Sequence, residues 1–210
     1  MSDKKPYKVM VVEDQSLTRE FFTMIIEKSQ DYDLLYSVES ASVAKMYADR
    51  YDIDLILMDV IMDDGSNGLI EAERIKKSHP DIKIIIVTSM PEVSFLDQAR
   101  VIGVDSFWYK ETQKEPILSV MKRTMAGESI YPTATPSVSI GYSNNHEFSE
   151  RELEILRELI TGDSNAEIGE RLGITPSTVK YHVQNMLDKT GMHTRTELAV
   201  VARSLGIVIR

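Results

Sequence analysis

Five short apolar runs, separated by stretches with helical periodicity, fill the first 126 residues of this 210-residue chain. Runs of about four to eight apolar residues between polar ones fit strands that are buried on both faces of a parallel sheet. Strands that alternate with helices build a doubly wound α/β domain. We therefore predict a five-stranded parallel sheet covered by helices over residues 1–126. Its strands are expected at residues 7–12, 33–38, 55–58, 82–88 and 106–110.

Carboxylates stand where two of these strands end. Asp59 directly follows the run at 55–58, and Glu13 and Asp14 follow the first run. One acid after one strand would most simply open the next loop, but the carboxyl ends of neighbouring parallel strands meet at one edge, where ligands bind. Two unit charges about 4 Å apart repel by roughly 4 kcal/mol at an effective dielectric near 20, so three converging carboxylates need a cation. Oxygen ligands in a loose site suit Mg²⁺.

Two further strands end on groups that suit a phosphoryl ligand. Thr88 ends the fourth strand and Lys110 the fifth, which adds a hydroxyl and an ammonium to the same edge. Phosphoryl oxygens need positive charge and hydrogen-bond donors around them. The strand ends together therefore predict a site that holds a phosphoryl group.

The sequence pattern changes after this first domain. Residues 127–146 contain Pro132, Pro136, several serines and no clear periodicity, which is typical of a linker; a binding loop is the less favoured alternative. Residues 147–210 are then helical in pattern to the end.

Helix start and stop signals divide the second half. SERE at 149–152 and SNAE at 164–167 match the capping box, in which a Ser caps the first turn and a Glu reaches back. Gly173 suits a helix end, and Thr175 before Pro176 suits a new cap and first turn. A short helix, a turn with Gly and a longer helix outline a helix-turn-helix domain. Four helices are predicted. The first ends near residue 161 and the second near residue 172. The third runs from about 176 to 189, and the fourth from about 196 to 204.

The net charge of −9 argues against a nucleic-acid partner, but the charge is unevenly distributed. Residues 1–127 carry 22 acidic and 16 basic residues, whereas residues 174–210 carry two acidic and five basic ones. The third predicted helix has one apolar face and one polar face, and most polar helix faces are simply solvated. The local charge of +3 and the preceding turn favour a recognition helix in the major groove of DNA. The apolar face consists of Val179, Val183, Met186 and Leu187.

Both halves resemble two-component response regulators of the NarL/FixJ class, which join a receiver domain to a LuxR-type helix-turn-helix domain. The receiver resemblance covers about residues 7–126. It rests on ED at 13–14, LILMD ending at 59, IVTS with Thr88, and SFWYK ending at 110. The resemblance of residues 147–210 is more specific and rests on the order of caps, glycine turns and the TVKYH helix.

The receiver resemblance implies a flavodoxin-like fold and a role for each matched residue. The phosphoacceptor would be Asp59; the Mg²⁺ ligands Glu13, Asp14, Asp59 and the backbone carbonyl of Ile61; the phosphoryl contacts Thr88 and Lys110; and the switch residues Thr88 and Phe107. Phe107 would turn inward on phosphorylation. The chain would catalyse only its own phosphorylation and dephosphorylation, so we do not expect an enzyme.

The loop after Asp59 departs from the family's pattern. The family usually has Met-Pro shortly after the phosphorylated Asp and then a Gly, whereas residues 62–68 read MDDGSNG. Asp63 replaces the Pro, Asp64 is added and Gly68 comes one residue late. We expect a longer, more negative loop that affects the rate and lifetime of phosphorylation.

The second resemblance implies DNA contacts and partners. Bases would be contacted by Lys180, Tyr181 and Gln184, and phosphates by Thr178 and Lys189. Gln184 stands where some relatives carry a Lys, and Gln can pair bidentately with adenine. A sensor histidine kinase would phosphorylate the chain, which would then form a homodimer on inverted half-sites of double-stranded DNA. RNA polymerase is a candidate partner.

Three other protein classes share parts of this pattern. A Mg²⁺-dependent phosphatase of the haloacid dehalogenase type would need a second Asp two positions after Asp59, where the chain has Ile61. A quorum-sensing LuxR protein would need a ligand-enclosing first domain, and a stand-alone receiver would lack the second half.

Composition excludes further classes of site. The chain has no cysteine, and its four histidines are too scattered for a zinc motif. No stretch approaches the roughly 20 apolar residues that span a bilayer, and the start has no apolar signal region. We expect a cytoplasmic protein without a membrane partner.

Overall fold

The computed structural model describes residues 5–110 and 115–208. The chain forms two compact units. One comprises Met1–Ser89 and Ser94–Thr133, and the other comprises Met90–Val93 and Ala134–Arg210.

The first unit is built on a parallel sheet with the strand order β2-β1-β3-β4-β5. The predicted five-stranded sheet is confirmed, and each strand lies within one residue of its predicted bounds. The strands are β1 (Tyr7–Val12), β2 (Tyr32–Val38), β3 (Leu55–Met58), β4 (Lys83–Thr88) and β5 (Ser106–Tyr109).

Five helices cover this sheet. They are α1 (Ser16–Glu27), α2 (Ala44–Arg50), α3 (Gly68–Ser78), α4 (Val93–Ile102) and α5 (Ile117–Met125), with a short 3₁₀ helix at Ala41–Val43 before α2. All four residues of β3 are buried, because parallel strands in a doubly wound domain are covered on both faces. On one face, α1 and α5 pack through Phe22, Ile26 and Val120 onto alternate strand residues such as Val9 and Leu57.

The second unit is mainly helical. Its elements are the hairpin strands β6 (Ser139–Ile140) and β7 (Ser143–Asn144), a 3₁₀ helix at Asn145–Glu147, and the helices α6 (Glu150–Leu159), α7 (Asn165–Leu172), α8 (Pro176–Thr190) and α9 (Arg195–Ser204). The predicted capping boxes of Ser149 with Glu152 and of Ser164 with Glu167 are confirmed. The hairpin lies in the segment 127–146 that was predicted as a linker, and Ile140 is fully buried in this unit's core.

None of the helices in the part of the chain that the structure describes is long and apolar enough to cross a membrane.

Candidate phosphoacceptor site and nucleic-acid interface

Three carboxylates meet at the carboxyl edge of the sheet. Glu13 and Asp14 follow β1, and Asp59 follows β3, the neighbouring strand. The backbone N–H of Asp59 donates to the carbonyl of Val12 at 2.9 Å, which ties the two strand ends together. One oxygen from each carboxylate lies within 4.8 Å of the other two. Glu13 is fully buried, and Asp59 is 5% exposed.

Lys110 supplies the positive charge in this pocket. Its backbone N–H donates to the carbonyl of Thr88 at 2.9 Å, so the strand pairing of β4 and β5 fixes its position. Its Nζ lies 2.6 Å from Asp59 Oδ2 and 2.6 Å from Glu13 Oε2. Asp59 Oδ1 accepts a second hydrogen bond, from the backbone N–H of Val60 at 2.6 Å. Three carboxylates against one ammonium leave the pocket short of positive charge.

The protonation equilibria of the pocket reflect this imbalance. Burial, together with the charge of Asp59, raises the pKa of Glu13 to about 7 against the opposing effect of Lys110. Burial also raises the pKa of Asp59, and Lys110 again opposes the shift. Burial by itself would lower the pKa of Lys110, but Asp59 and Glu13 outweigh it and hold that pKa above its usual value. Desolvation disfavours charged carboxylates, so a bound cation would compete with protons here.

The donor set fits a hard divalent cation. Its three members are oxygen ligands at converging positions, and Asp14 is only partly buried, which leaves the site open to solvent on that side. Mg²⁺ prefers oxygen ligands and usually keeps several of its waters. Ile61, the other predicted ligand, lies two residues after Asp59 and pairs with Asn67 in an isolated β-bridge.

The remaining predicted receiver residues lie on β4 and β5. Thr88 is 1% exposed at the end of β4, paired with Tyr109 across the sheet. Phe107 is fully buried, with its ring centroid 5.0 Å from that of Tyr109. Phe107 is predicted to turn inward on phosphorylation, but in this conformation its side chain is already buried.

The loop after Asp59 forms a tight hairpin. Gly65 donates from its N–H to the carbonyl of Met62 at 3.0 Å, and Met62 donates to the carbonyl of Ser66 at 3.1 Å. Asn67 ends the loop as the N-cap of α3. A Cβ on Gly68 would lie 1.8 Å from the carbonyl oxygen of Asp59, so only glycine fits this close approach.

Sequence reasoning missed one residue that shapes the pocket. Arg19 on α1 donates from Nη1 to the backbone carbonyls of Glu13 at 2.8 Å and Asp14 at 3.0 Å. The guanidinium thus fixes the backbone that carries both acids. No local pattern signals this role, since an Arg on a helix is most often a solvated residue.

In the second unit, a sharp turn joins α7 to α8. Gly173 ends α7 in the left-handed conformation, and Thr175 caps α8 by accepting from the N–H of Thr178. A Cβ on Gly169 would lie 2.6 Å from the carbonyl of Ile174, so this second glycine lets the turn close onto α7. The predicted helix-turn-helix is thereby confirmed.

The two faces of α8 differ as predicted. Val179, Val183 and Met186 are buried, and Leu187 packs against the same core. The opposite face exposes Lys180, Tyr181 and Gln184, and Thr178 lies partly exposed near the start of the helix. Gln184 donates to Asp188 at 2.8 Å. No carboxylate within residues 5–110 and 115–208 forms an ion pair with Lys180.

Lys189 differs from the other predicted DNA contacts because its ammonium is occupied. Its Nζ lies 2.7 Å from Glu152 Oε2 and donates to the carbonyl of Glu147 at 2.9 Å. Glu152 is 3% exposed and also accepts from the N–H and the hydroxyl of Ser149. Lys189 thus connects the end of α8 to the start of α6.

Comparison with known proteins matches both units. Residues 9–122 match the family model of the response regulator receiver domain, and residues 146–202 match that of bacterial regulatory proteins of the luxR family. The response regulator protein VraR of Staphylococcus saprophyticus is 33% identical over 205 residues, covering 94% of this chain and 96% of that protein. VraR of Staphylococcus aureus is 33% identical over 203 residues, covering 93% and 95%.

Solved structures show the same fold. A structure of two RcsB dimers bound to two parallel DNAs matches with a TM-score of 0.63 and 17% identity, covering 95% of this chain and 99% of that one. RcsB of Salmonella typhimurium matches with a TM-score of 0.57 and 16% identity, covering 96% and 100%.

Proposed function

Because the chain belongs to the response regulators that join a receiver domain to a LuxR-family DNA-binding domain, we propose that Asp59 is the phosphoacceptor that controls its DNA binding. The family regulates transcription under the control of phosphorylation. One observation carries the assignment to Asp59: this buried carboxylate lies 2.6 Å from the ammonium of Lys110 and within 4.8 Å of two further acids. Lys110, together with a cation held by the acids, would compensate the negative charge that Asp59 gains on phosphorylation.

The pocket residues have complementary tasks in phosphoryl transfer. An oxygen of Asp59 attacks the phosphorus of the donor, and the bond from phosphorus to the donor's leaving group breaks. The carboxylate of charge −1 becomes a group of about −1.5 to −2 with three acceptor oxygens, and Lys110 and the hydroxyl of Thr88 would compensate this charge. Glu13, Asp14, Asp59 and the carbonyl of Ile61 would hold Mg²⁺, which when bound supplies positive charge to the phosphoryl oxygens.

Phosphorylation of Asp59 can be tested directly. The full chain is incubated with Mg²⁺ and a small phosphodonor such as acetyl phosphate, and its intact mass is measured. We expect the mass of one phosphoryl group on the wild-type chain and none on Asp59→Asn, which keeps the size of the side chain but not its nucleophilic oxygen. Asp81→Asn serves as the matched control and should label normally, since Asp81 is exposed and precedes β4 at the opposite edge of the sheet. An equal mass gain on Asp59→Asn would show that another residue is the acceptor.

We also propose that the exposed face of α8 reads DNA. Lys180, Tyr181 and Gln184 are free of the core and would contact base edges, while Thr178 at the helix start would contact phosphate. Lys189 could contact phosphate only in competition with Glu152, since both need the same ammonium.

The partners follow from the family. We propose that a sensor histidine kinase donates the phosphoryl group and that the phosphorylated chain forms a homodimer. A two-fold dimer favours inverted half-sites about one helical turn apart, because its recognition helices must enter successive major grooves. RNA polymerase would be the further partner of a DNA-bound regulator.

A further inference from the structure

We propose that the backbone N–H of Asp63 positions Asp14 as a metal ligand, and that this chain depends on having a residue other than proline at position 63. The inference rests on the proposed function, since it concerns the same metal site. The N–H of Asp63 donates to Asp14 Oδ2 at 2.5 Å, across 49 positions of sequence. A proline has no N–H and could not make this bond.

The loop holds this N–H in a defined place. The hydrogen bond from Gly65 to Met62 closes a turn whose second residue is Asp63. The tip is tied down further, because Ser66 donates from its N–H to Asp64 Oδ1 at 2.8 Å and its hydroxyl oxygen accepts from the N–H of Ala41 at 3.1 Å. Because the loop is restrained on both sides of Asp63, the N–H of Asp63 can orient the carboxylate of Asp14.

Asp14 needs such a donor more than its neighbours do. Lys110 pairs with Glu13 and Asp59, whereas within the described part of the chain Asp14 takes part in no ion pair. Asp14 is also partly exposed, so packing restrains its side chain less than that of fully buried Glu13. Residues that hydrogen-bond to metal ligands orient them, and their loss typically lowers metal affinity about 10-fold to 100-fold.

The carboxylate of Asp63 offers a competing explanation, because a nearby negative charge also attracts a cation. Two substitutions separate the effects. Asp63→Ala removes the charge and keeps the N–H. Asp63→Pro removes both, and position 63 is the second residue of a turn, where proline is favoured, so the turn should persist.

The test is a titration of the unphosphorylated full chain with magnesium chloride. Trp108, the single tryptophan, reports binding through its fluorescence, since it lines a cavity of about 330 Å³ together with Gln15 and Lys110. We expect the dissociation constant of Asp63→Pro to exceed that of Asp63→Ala about tenfold. Equal constants for the two variants would overturn the inference.

A control separates this inference from the proposed function. If Mg²⁺ binding by the wild-type chain is insensitive to Asp14→Asn, the proposed metal site itself is wrong. If binding requires Asp14 but Asp63→Pro matches Asp63→Ala, only the role of the N–H is wrong.

A second measurement avoids the proline substitution. Amide hydrogen exchange at Asp63 is compared, without metal, between the wild-type chain and Asp14→Ala. The hydrogen bond predicts slower exchange in the wild-type chain, and equal rates would contradict it.

Discussion

Single residues at the strand ends must satisfy two demands at once, close packing and a high density of charge. Glu13 and Asp59 are buried together, which is tolerable because Lys110 contacts both. Gly68 allows the backbone of α3 to approach the carbonyl of Asp59 closely, because a Cβ at this position would not fit. The position of Asp59, the proposed phosphoacceptor, thus depends on a residue that carries no functional group.

Gly68→Ala should therefore lower both stability and phosphorylation. Alanine normally stabilises a helix by about 1 kcal/mol relative to glycine. Here, however, the clash with Asp59 must be relieved by a backbone shift. Such overpacking costs about 1–3 kcal/mol. Urea unfolding measures the loss, and intact mass measures the rate of phosphorylation.

Gly103→Ala is the matched control for Gly68→Ala. Gly103 has a φ of 79°, and no atom lies within 4 Å of its added Cβ, so the substitution strains the backbone without crowding a neighbour. It should cost stability, by about 1–2 kcal/mol, and leave the rate of phosphorylation unchanged. A wild-type rate in Gly68→Ala would show that the close approach does not position Asp59.

At the scale of an element, α8 carries two lysines with different surroundings. Lys180 projects from the polar face without an ion-pair partner among the residues that the structure covers, whereas Lys189 binds nearly buried Glu152. Burial opposes ionisation of Glu152, but Lys189 and Ser149 outweigh it and hold the pKa of Glu152 below its usual range. One helix thus combines a lysine that we propose to contact DNA with a lysine that forms an ion pair inside the domain.

The two lysines should give opposite results when each is replaced by alanine. Lys180→Ala should weaken binding to the preferred DNA site by about 1–3 kcal/mol and leave stability unchanged. Lys189→Ala should lower the free energy of unfolding by about 1–2 kcal/mol at pH 7, a value discounted for the partial exposure of the lysine. DNA titrations at several salt concentrations and urea unfolding measure the two effects.

The effect of Lys189→Ala should also depend on pH. Because the pKa of Glu152 is lowered in the folded state, its contribution to stability is present above the unfolded-state value of about 4.3 and is lost as the pH falls through the folded-state value. The difference in the free energy of unfolding between Lys189→Ala and the wild-type chain should therefore shrink in that acidic range. A salt slope for DNA binding that falls by about one in Lys189→Ala, with stability unchanged, would instead make Lys189 a phosphate contact.

At the scale of the whole molecule, the segment 127–146 between the two domains contains regular structure, the β6–β7 hairpin. Ile140 in the β6–β7 hairpin is fully buried in the core of the second unit. Tyr142 donates from its N–H to the carbonyl of Thr190 at 3.0 Å, which attaches the hairpin to the end of α8. The DNA-binding unit therefore includes residues that precede its sequence-predicted start at 147.

Two fragments and the full chain test this organisation together with the control by phosphorylation. A fragment of residues 134–210 should be more stable than one of residues 147–210, by about 1.5–3 kcal/mol for the burial of Ile140 alone. It should also bind DNA without phosphorylation. The full chain should bind DNA more tightly, and dimerise, when beryllofluoride occupies Asp59 as a phosphoryl mimic.

Thermal unfolding, DNA titration and light scattering provide the three readouts. Ile140→Ala in the longer fragment is the control, since it should reproduce the loss of stability while keeping the chain length. If beryllofluoride binds yet leaves DNA affinity and molar mass unchanged, phosphorylation does not control this output. If the shorter fragment is equally stable, the hairpin is dispensable.

Local patterns in the sequence determined the elements of this protein and the identity of its pocket residues. Strands buried on both faces must be apolar throughout, and capping residues act within three or four positions, so β1–β5 and the starts of α6 and α7 could be predicted. Glu13, Asp59 and Lys110 could be placed together because parallel strands put their ends at one edge. The resemblance to a known family added their roles.

Only the tertiary structure decided which partners these groups have. The bond from Asp63 to Asp14 joins residues 49 positions apart, and the ion pair of Lys189 with Glu152 joins residues 37 apart. No periodicity or spacing encodes such contacts, and two-residue strands like β6 and β7 are too short to show any. Hydrogen bonds and ion pairs act over about 3 Å in space, and chain folding alone determines which side chains come that close.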